Sequence, residues 1–113
     1  MELRTKRIYD DPSPDDGYRV LVDRLWPRGV SKERAALGEW AKEVAPSDEL
    51  RTWFHHEVPN WPEFERRYRA ELDKNPAAAE LRDSLAGHKV VTLLFSAKDE
   101  HHNQALVLAD WLS

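Results

Sequence analysis

Lys89-Val90-Val91-Thr92-Leu93-Leu94-Phe95-Ser96 is the stretch on which the fold turns. From Val90 to Phe95 only Thr92 interrupts the apolar side chains, so an extended chain here would have no polar face. Such a run suits a strand covered on both sides, as in a parallel sheet. Working outward, Arg19–Arg24 carries a second continuous run, Val20-Leu21-Val22, and Leu3–Tyr9 is a shorter, mixed candidate strand. Between those two, Asp11-Pro12-Ser13-Pro14-Asp15-Asp16-Gly17 is turn chemistry without a helical period. It reads as a loop or as a gate over a site.

The chain between the second and third strands reads as helical. Ser31 is placed to cap a short helix that stops near Gly38. Ser47, followed by Asp48 and Glu49, starts the next, with Leu50, Trp53 and Phe54 at i, i+3, i+4. Asn60, Pro62 and Glu63 resemble a capping box opening a helix whose apolar stripe is Trp61, Phe64, Tyr68 and Leu72. Asn75-Pro76 opens another, with Leu81 and Leu85 inward and Gly87 at its end. Asp99 is expected to cap a last helix with Ala105, Leu108, Ala109 and Leu112 on its apolar face. A long helical connection between strands favours a parallel pair with a right-handed crossover. The expected class is therefore α/β: one small domain over residues 1–113, with a short, mostly parallel sheet of three or so strands. A helix-rich insertion lies between strands two and three, and a helix ends the chain. The direction of the first strand is not fixed by pattern, which leaves α+β open.

Composition bounds the partners. Seventeen Lys and Arg against 21 Asp and Glu in 113 residues give a net charge of −4. That balance argues against nucleic acid. No apolar run approaches the roughly 20 residues of a membrane span, and Met1-Glu2-Leu3-Arg4-Thr5-Lys6-Arg7 lacks a signal-peptide core. No membrane partner and a cytoplasmic location are expected. With no Cys, thiol nucleophiles, disulfides and Cys-ligated metals are excluded. There is no P-loop, GxGxxG or nucleophile elbow, and Ser96 lacks the flanking glycines an elbow needs.

In open parallel sheets ligands bind beyond the carboxyl ends of the strands. Here those ends carry Tyr9, then Asp23-Arg24-Leu25-Trp26-Pro27-Arg28-Gly29, then Ser96-Ala97-Lys98-Asp99. The cations Arg24, Arg28 and Lys98 would converge with Asp23, Asp99 and Tyr9. Arg28 can offer a planar fork to a carboxylate or phosphate, and Lys98 sits beside an expected helix N-terminus, which favours anions. Lys42, in irregular chain anchored by Trp40, could reach the same place; its alternative is an ion pair with Glu43 or Asp23. The expected ligand is a small anionic molecule held by Arg24, Arg28, Lys42, Lys98 and Asp99. Asp23, Tyr9 and His56 are the candidates for acid/base chemistry, and any carboxylate beside the arginines should have a depressed pKa.

Two other readings stand beside this one. His55-His56 and His101-His102 could each lend one imidazole to a metal with Asp23, Asp99 or Tyr9, although no metal-ligand spacing is present. No cofactor is otherwise implied. Five Trp could instead anchor an interaction surface, in a monomer or a homodimer.

Several motifs together resemble a known family. They are Lys6–Asp10, Gly17–Gly29 with its string Val22-Asp23-Arg24-Leu25-Trp26-Pro27-Arg28-Gly29, Trp40–Ser47, Leu50–His56, Trp61–Tyr68 and Thr92–Asp99 with Asn103 and Ala105. The chain resembles, over nearly its whole length, the bacterial family called domain of unknown function 488, in its YeaO-like branch. The resemblance implies a small cytoplasmic bacterial α/β protein and brings no defined activity with it. It singles out Tyr9, Asp23, Arg24, Trp26, Arg28, Lys42, Lys98 and Asn103, and so adds Asn103 to the ligand-binding candidates. The family pattern has one His after Trp-Phe where this chain has two. It has no regular His at position 102 and sometimes has Asn at position 99, which makes Asp99 more a cap than a base.

Overall fold

A computed structural model describes residues 1–113. Four strands form one parallel sheet: β1 (Glu2–Arg7), β2 (Tyr18–Leu21), β3 (Glu39–Trp40) and β4 (Val90–Phe95). Their order across the sheet is β1-β4-β2-β3. The Val90–Phe95 run is the interior strand that its composition predicts, with β1 on one side and β2 on the other. The first strand is parallel to it, from Glu2 opposite Val90 to Arg7 opposite Phe95, which closes the α+β alternative. β3 is an addition to the expected three strands. It pairs Val20 with Glu39 and Leu21 with Trp40, and Gly38 N and Ala41 N extend the pairing to the carbonyls of Arg19 and Leu21. Two residues at a sheet edge have no periodicity to read.

The helices are α1 (Lys32–Ala35), α2 (Asp48–Phe54), α3 (Trp61–Lys74), α4 (Pro76–Leu85) and α5 (Gln104–Leu112). Ser31, Ser47 and Asn75 cap α1, α2 and α4 through their side chains, as their positions predict. Two expectations at helix ends fail. Asn60 makes no side-chain cap, because it closes a 3-10 turn, Val58–Asn60, that runs straight into α3. Glu63, free of a capping box, pairs with Arg66 and Arg67 instead. The cap of α5 is Asn103, whose Oδ1 accepts the Leu106 N–H, and not Asp99, which caps the preceding turn through the N–H groups of His101 and His102. α1 stops near Gly38 as expected, with Ala36 in the left-handed region as its end.

Alternation along the strands splits the core. Val20, Val22, Val91, Leu93 and Phe95 face the helical layer of α2 to α5, where Phe64, Tyr68, Leu72, Leu81, Leu85 and Leu108 complete the main core. The opposite face buries Ile8, Leu21 and Leu94 under Val30 and Ala35. On that second face lies a buried polar centre built on Asp16. Its carboxylate accepts from Lys6 Nζ at 3.1 Å and from Arg19 Nη1 at 2.5 Å, and Arg19 also donates to the carbonyl of Ala35. Thr92 Oγ1 donates to the Asp16 carbonyl at 2.7 Å. These bonds pin the Asp11–Gly17 segment to the sheet, and none of its residues reaches the cavity described below. Gly17 is required there: its φ is +65°, and a Cβ would come within 2.4 Å of the Val90 carbonyl oxygen.

Candidate functional site

Beyond the carboxyl ends of β1, β2 and β4 the chain opens a cavity of about 420 Å³. Backbone pairing continues past the strands, with Ile8 N on Phe95 O and Val22 N on Leu94 O, and so holds Tyr9, Asp23 and Ser96 side by side. The polar lining is Tyr9, Asp23, Arg24, Arg28, Arg51, His56, Ser96 and Gln104. Leu25, Trp26, Phe54, Phe64 and Ala97 are among the apolar residues of the wall.

The Leu25–Val30 strap is held from several sides. Trp26 Nε1 donates to the Val30 carbonyl at 2.7 Å, Tyr9 OH to the Arg28 carbonyl at 2.9 Å, and Trp40 Nε1 to the Asp23 carbonyl at 2.7 Å. Trp26 and Trp40 meet edge to face. Gly29, at φ +78°, lets the strap turn back. These bonds fix the backbone around Arg28 and leave its guanidinium without an ion-pair partner and exposed. Arg24 is aimed by neutral groups, donating to the carbonyls of Ala45 (3.1 Å) and Pro46 (3.3 Å). Its nearest carboxylate, Asp48, is 3.8 Å away, well exposed, and shared with Arg51 at 3.1 Å. Exposed pairs of this kind neutralise little.

Asp23 lines the cavity as its one carboxylate. Its Oδ2 accepts the Ser96 N–H at 2.8 Å and its Oδ1 accepts from the Gln104 amide. Burial pushes its carboxyl above the ordinary value, and the Ser96 and Gln104 bonds and the Arg51 charge do not bring it back. This corrects the expectation of a depressed carboxylate: the arginines lie near Asp23, but none bonds it. His56 lines the cavity on an unusual backbone. It and His55 both have positive φ (55° and 45°), a conformation that costs a non-glycine residue about 1–2 kcal/mol. His55 is the left-handed end of α2, and the second left-handed residue turns the chain so that the His56 ring meets Phe54.

Of the residues named from sequence, Tyr9, Asp23, Arg24, Arg28 and His56 come together here. Lys42, Lys98, Asp99 and Asn103 do not line the cavity. Lys42 lies in a 3-10 turn with its ammonium over the Trp40 ring, not in an ion pair. Asp99 accepts from His102 Nδ1 at 2.9 Å, and the N–H bonds of its turn hold its carboxyl below the ordinary range. Asn103 is buried and spends its side chain on Asp99 O and Leu106 N. Arg51 and Gln104 were missed because they come from helices, where the strand-end rule does not look. No group of three His, Asp or Glu side chains converges anywhere. Trp53 and Trp40, the most exposed of the five Trp, are covered by Arg67 and Lys42 respectively.

Fold and cavity define a class: a small parallel α/β protein with a cation-rich recess at its strand ends. The chain belongs to the domain of unknown function 488 family, since the family profile described as "Inactive DUF488-N3 subclade" matches residues 2–113. Among bacterial relatives it is 49% identical over 112 residues to the uncharacterised Escherichia coli (strain K12) protein YeaO, covering 99% of this chain and 97% of that one. It is 47% identical over 111 residues to the uncharacterised Mycobacterium tuberculosis (strain H37Rv) protein Rv3073c, covering 98% and 93%. No solved structure matches the chain. No helix is long and apolar enough to cross a membrane.

Proposed function

We propose that the strand-end cavity binds a small anionic ligand and holds it without turnover. The observation that carries this reading is the uncommitted positive charge. Arg24, Arg28 and Arg51 line one recess with a single carboxylate, Asp23, although the chain as a whole is acidic. Arg28 has no ion pair and Arg24 is oriented by carbonyls, so both guanidinium groups keep charge and donors for an incoming carboxylate or phosphate. Fixing the strap through its backbone preorganises Arg28 without using its side chain. A binding role agrees with the description of the subclade as inactive. It also agrees with Asp23, whose two oxygens are already taken by Ser96 and Gln104.

A thermal-shift series with sulfate, phosphate and small carboxylates tests this, on the protein and on Arg28→Ala. A ligand that binds only the native state raises the midpoint with concentration. The expected result is an anion-dependent rise that Arg28→Ala abolishes. No rise, or an equal rise in the variant, would contradict the reading.

A further inference from the structure

Resting on that reading, we infer that the anion is organic: a carboxylate or phosphate monoester carrying an apolar body about the size of an aromatic ring. The cavity is mixed in character: beside the arginine group with Asp23, Ser96 and Gln104, its lining includes the apolar Leu25, Phe54, Phe64 and Ala97. A bare inorganic anion would occupy a small part of about 420 Å³ and leave the apolar lining wet.

The apolar wall is built, not incidental. Phe54 and Phe64 are stacked with ring centroids 4.4 Å apart, and Trp61 stacks behind Phe64 at 5.5 Å. Both Phe side chains are otherwise buried, so the surface they give to the cavity is the rim of the main core. Leu25 is 64% exposed, the most exposed large apolar side chain in the protein, and it stands on the same strap as Arg28. An exposed leucine alone needs no explanation. One that lines a recess, on a strap fixed by the Trp26–Val30 and Tyr9–Arg28 hydrogen bonds, is placed to cover something.

Matched probes separate the two halves of the ligand. The affinities of benzoate, acetate and benzamide, with phenyl phosphate and inorganic phosphate as a second pair, can be measured by NMR titration at low ionic strength. Burying a ring on the apolar lining should make benzoate about tenfold or more tighter than acetate, and phenyl phosphate should exceed inorganic phosphate by a similar factor. Benzamide, without the charge, should bind weakest, and Arg28→Ala should bring benzoate down toward benzamide. Acetate or phosphate binding as tightly as its phenyl counterpart would overturn this inference while leaving the anion site intact. Benzamide binding as tightly as benzoate would overturn the anion site itself, and with it the inference.

Discussion

Two carboxylates, the buried Asp16 and the half-buried Asp23, bracket β2, and the protein treats them in opposite ways. Asp16, just before the strand, has Lys6 and Arg19 on its oxygens and the Ser13 N–H beside them. Burial pushes its carboxyl up, but those donors outweigh burial and hold it below the ordinary value. Asp23, just after the strand, has only neutral donors, and burial holds it above the ordinary value. At one end of the strand the charge is consumed inside the fold. At the other, three arginines are brought close and left to face a cavity. Charges spent on each other stabilise a structure, whereas charges oriented by backbone carbonyls remain available to a ligand.

The largest expected effect lies at the first end. Asp16→Ala strands the buried Arg19 and removes the partner of the half-buried Lys6, and should destabilise the protein by about 3–5 kcal/mol in denaturant unfolding. Trp26→Ala comes next. It removes an indole packed on Trp40 and the second core, together with its bond to Val30. The expected loss is about 3 kcal/mol; no loss would assign the indole to a binding surface. Tyr9→Phe, losing one exposed hydrogen bond to the Arg28 carbonyl, should cost about 0.5–1 kcal/mol.

Asp23→Asn sharpens the contrast. Its amide can still accept the Ser96 N–H and can donate to a flipped Gln104, so stability should stay within about 1 kcal/mol of the parent. The pH dependence should differ in sign. Asp16, with its lowered value, contributes stability above the ordinary carboxylate value of 3.8 that is lost as pH falls through its folded value. Asp23, with its raised value, favours the protonated folded state, so its ionisation reduces stability as pH rises from 3.8 through its folded value. Unfolding curves from acid to neutral pH should therefore show Asp23→Asn gaining on the parent as pH rises, and Asp16→Asn falling behind it.

Much of this fold was legible. β4 and β2 are covered on both faces, and that burial is what makes Val90–Phe95 and Val20–Val22 continuous apolar runs. Ser47 and Asn75 were legible as caps because short polar side chains before helices have few other roles. Glu39–Trp40 was not, since a two-residue edge strand is set by its neighbour β2 and not by its own pattern. At the site, the strand-end rule found Tyr9, Asp23, Arg24 and Arg28 because backbone pairing runs just past the strands. It reached too far with Lys98 and Asp99, where the chain has already turned away into the turn that Asp99 caps ahead of α5. It could not find Arg51 or Gln104, which arrive by helix packing at long sequence separation. An acid-and-arginine first turn in α2, Asp48-Glu49-Leu50-Arg51, was the available signal for Arg51.

The most direct measurement crosses the two ends of β2. Unfolding free energy and benzoate affinity would be determined together for the parent, Asp16→Asn and Arg28→Ala. The account predicts that Asp16→Asn loses stability but, while folded, keeps its affinity. Arg28→Ala should stay within about 0.5 kcal/mol of the parent in stability, as an exposed side chain should, and lose most of its affinity. An Arg28→Ala protein destabilised by more than about 2 kcal/mol and still binding benzoate normally would contradict it, because Arg28 would then belong to the structure and not to the site.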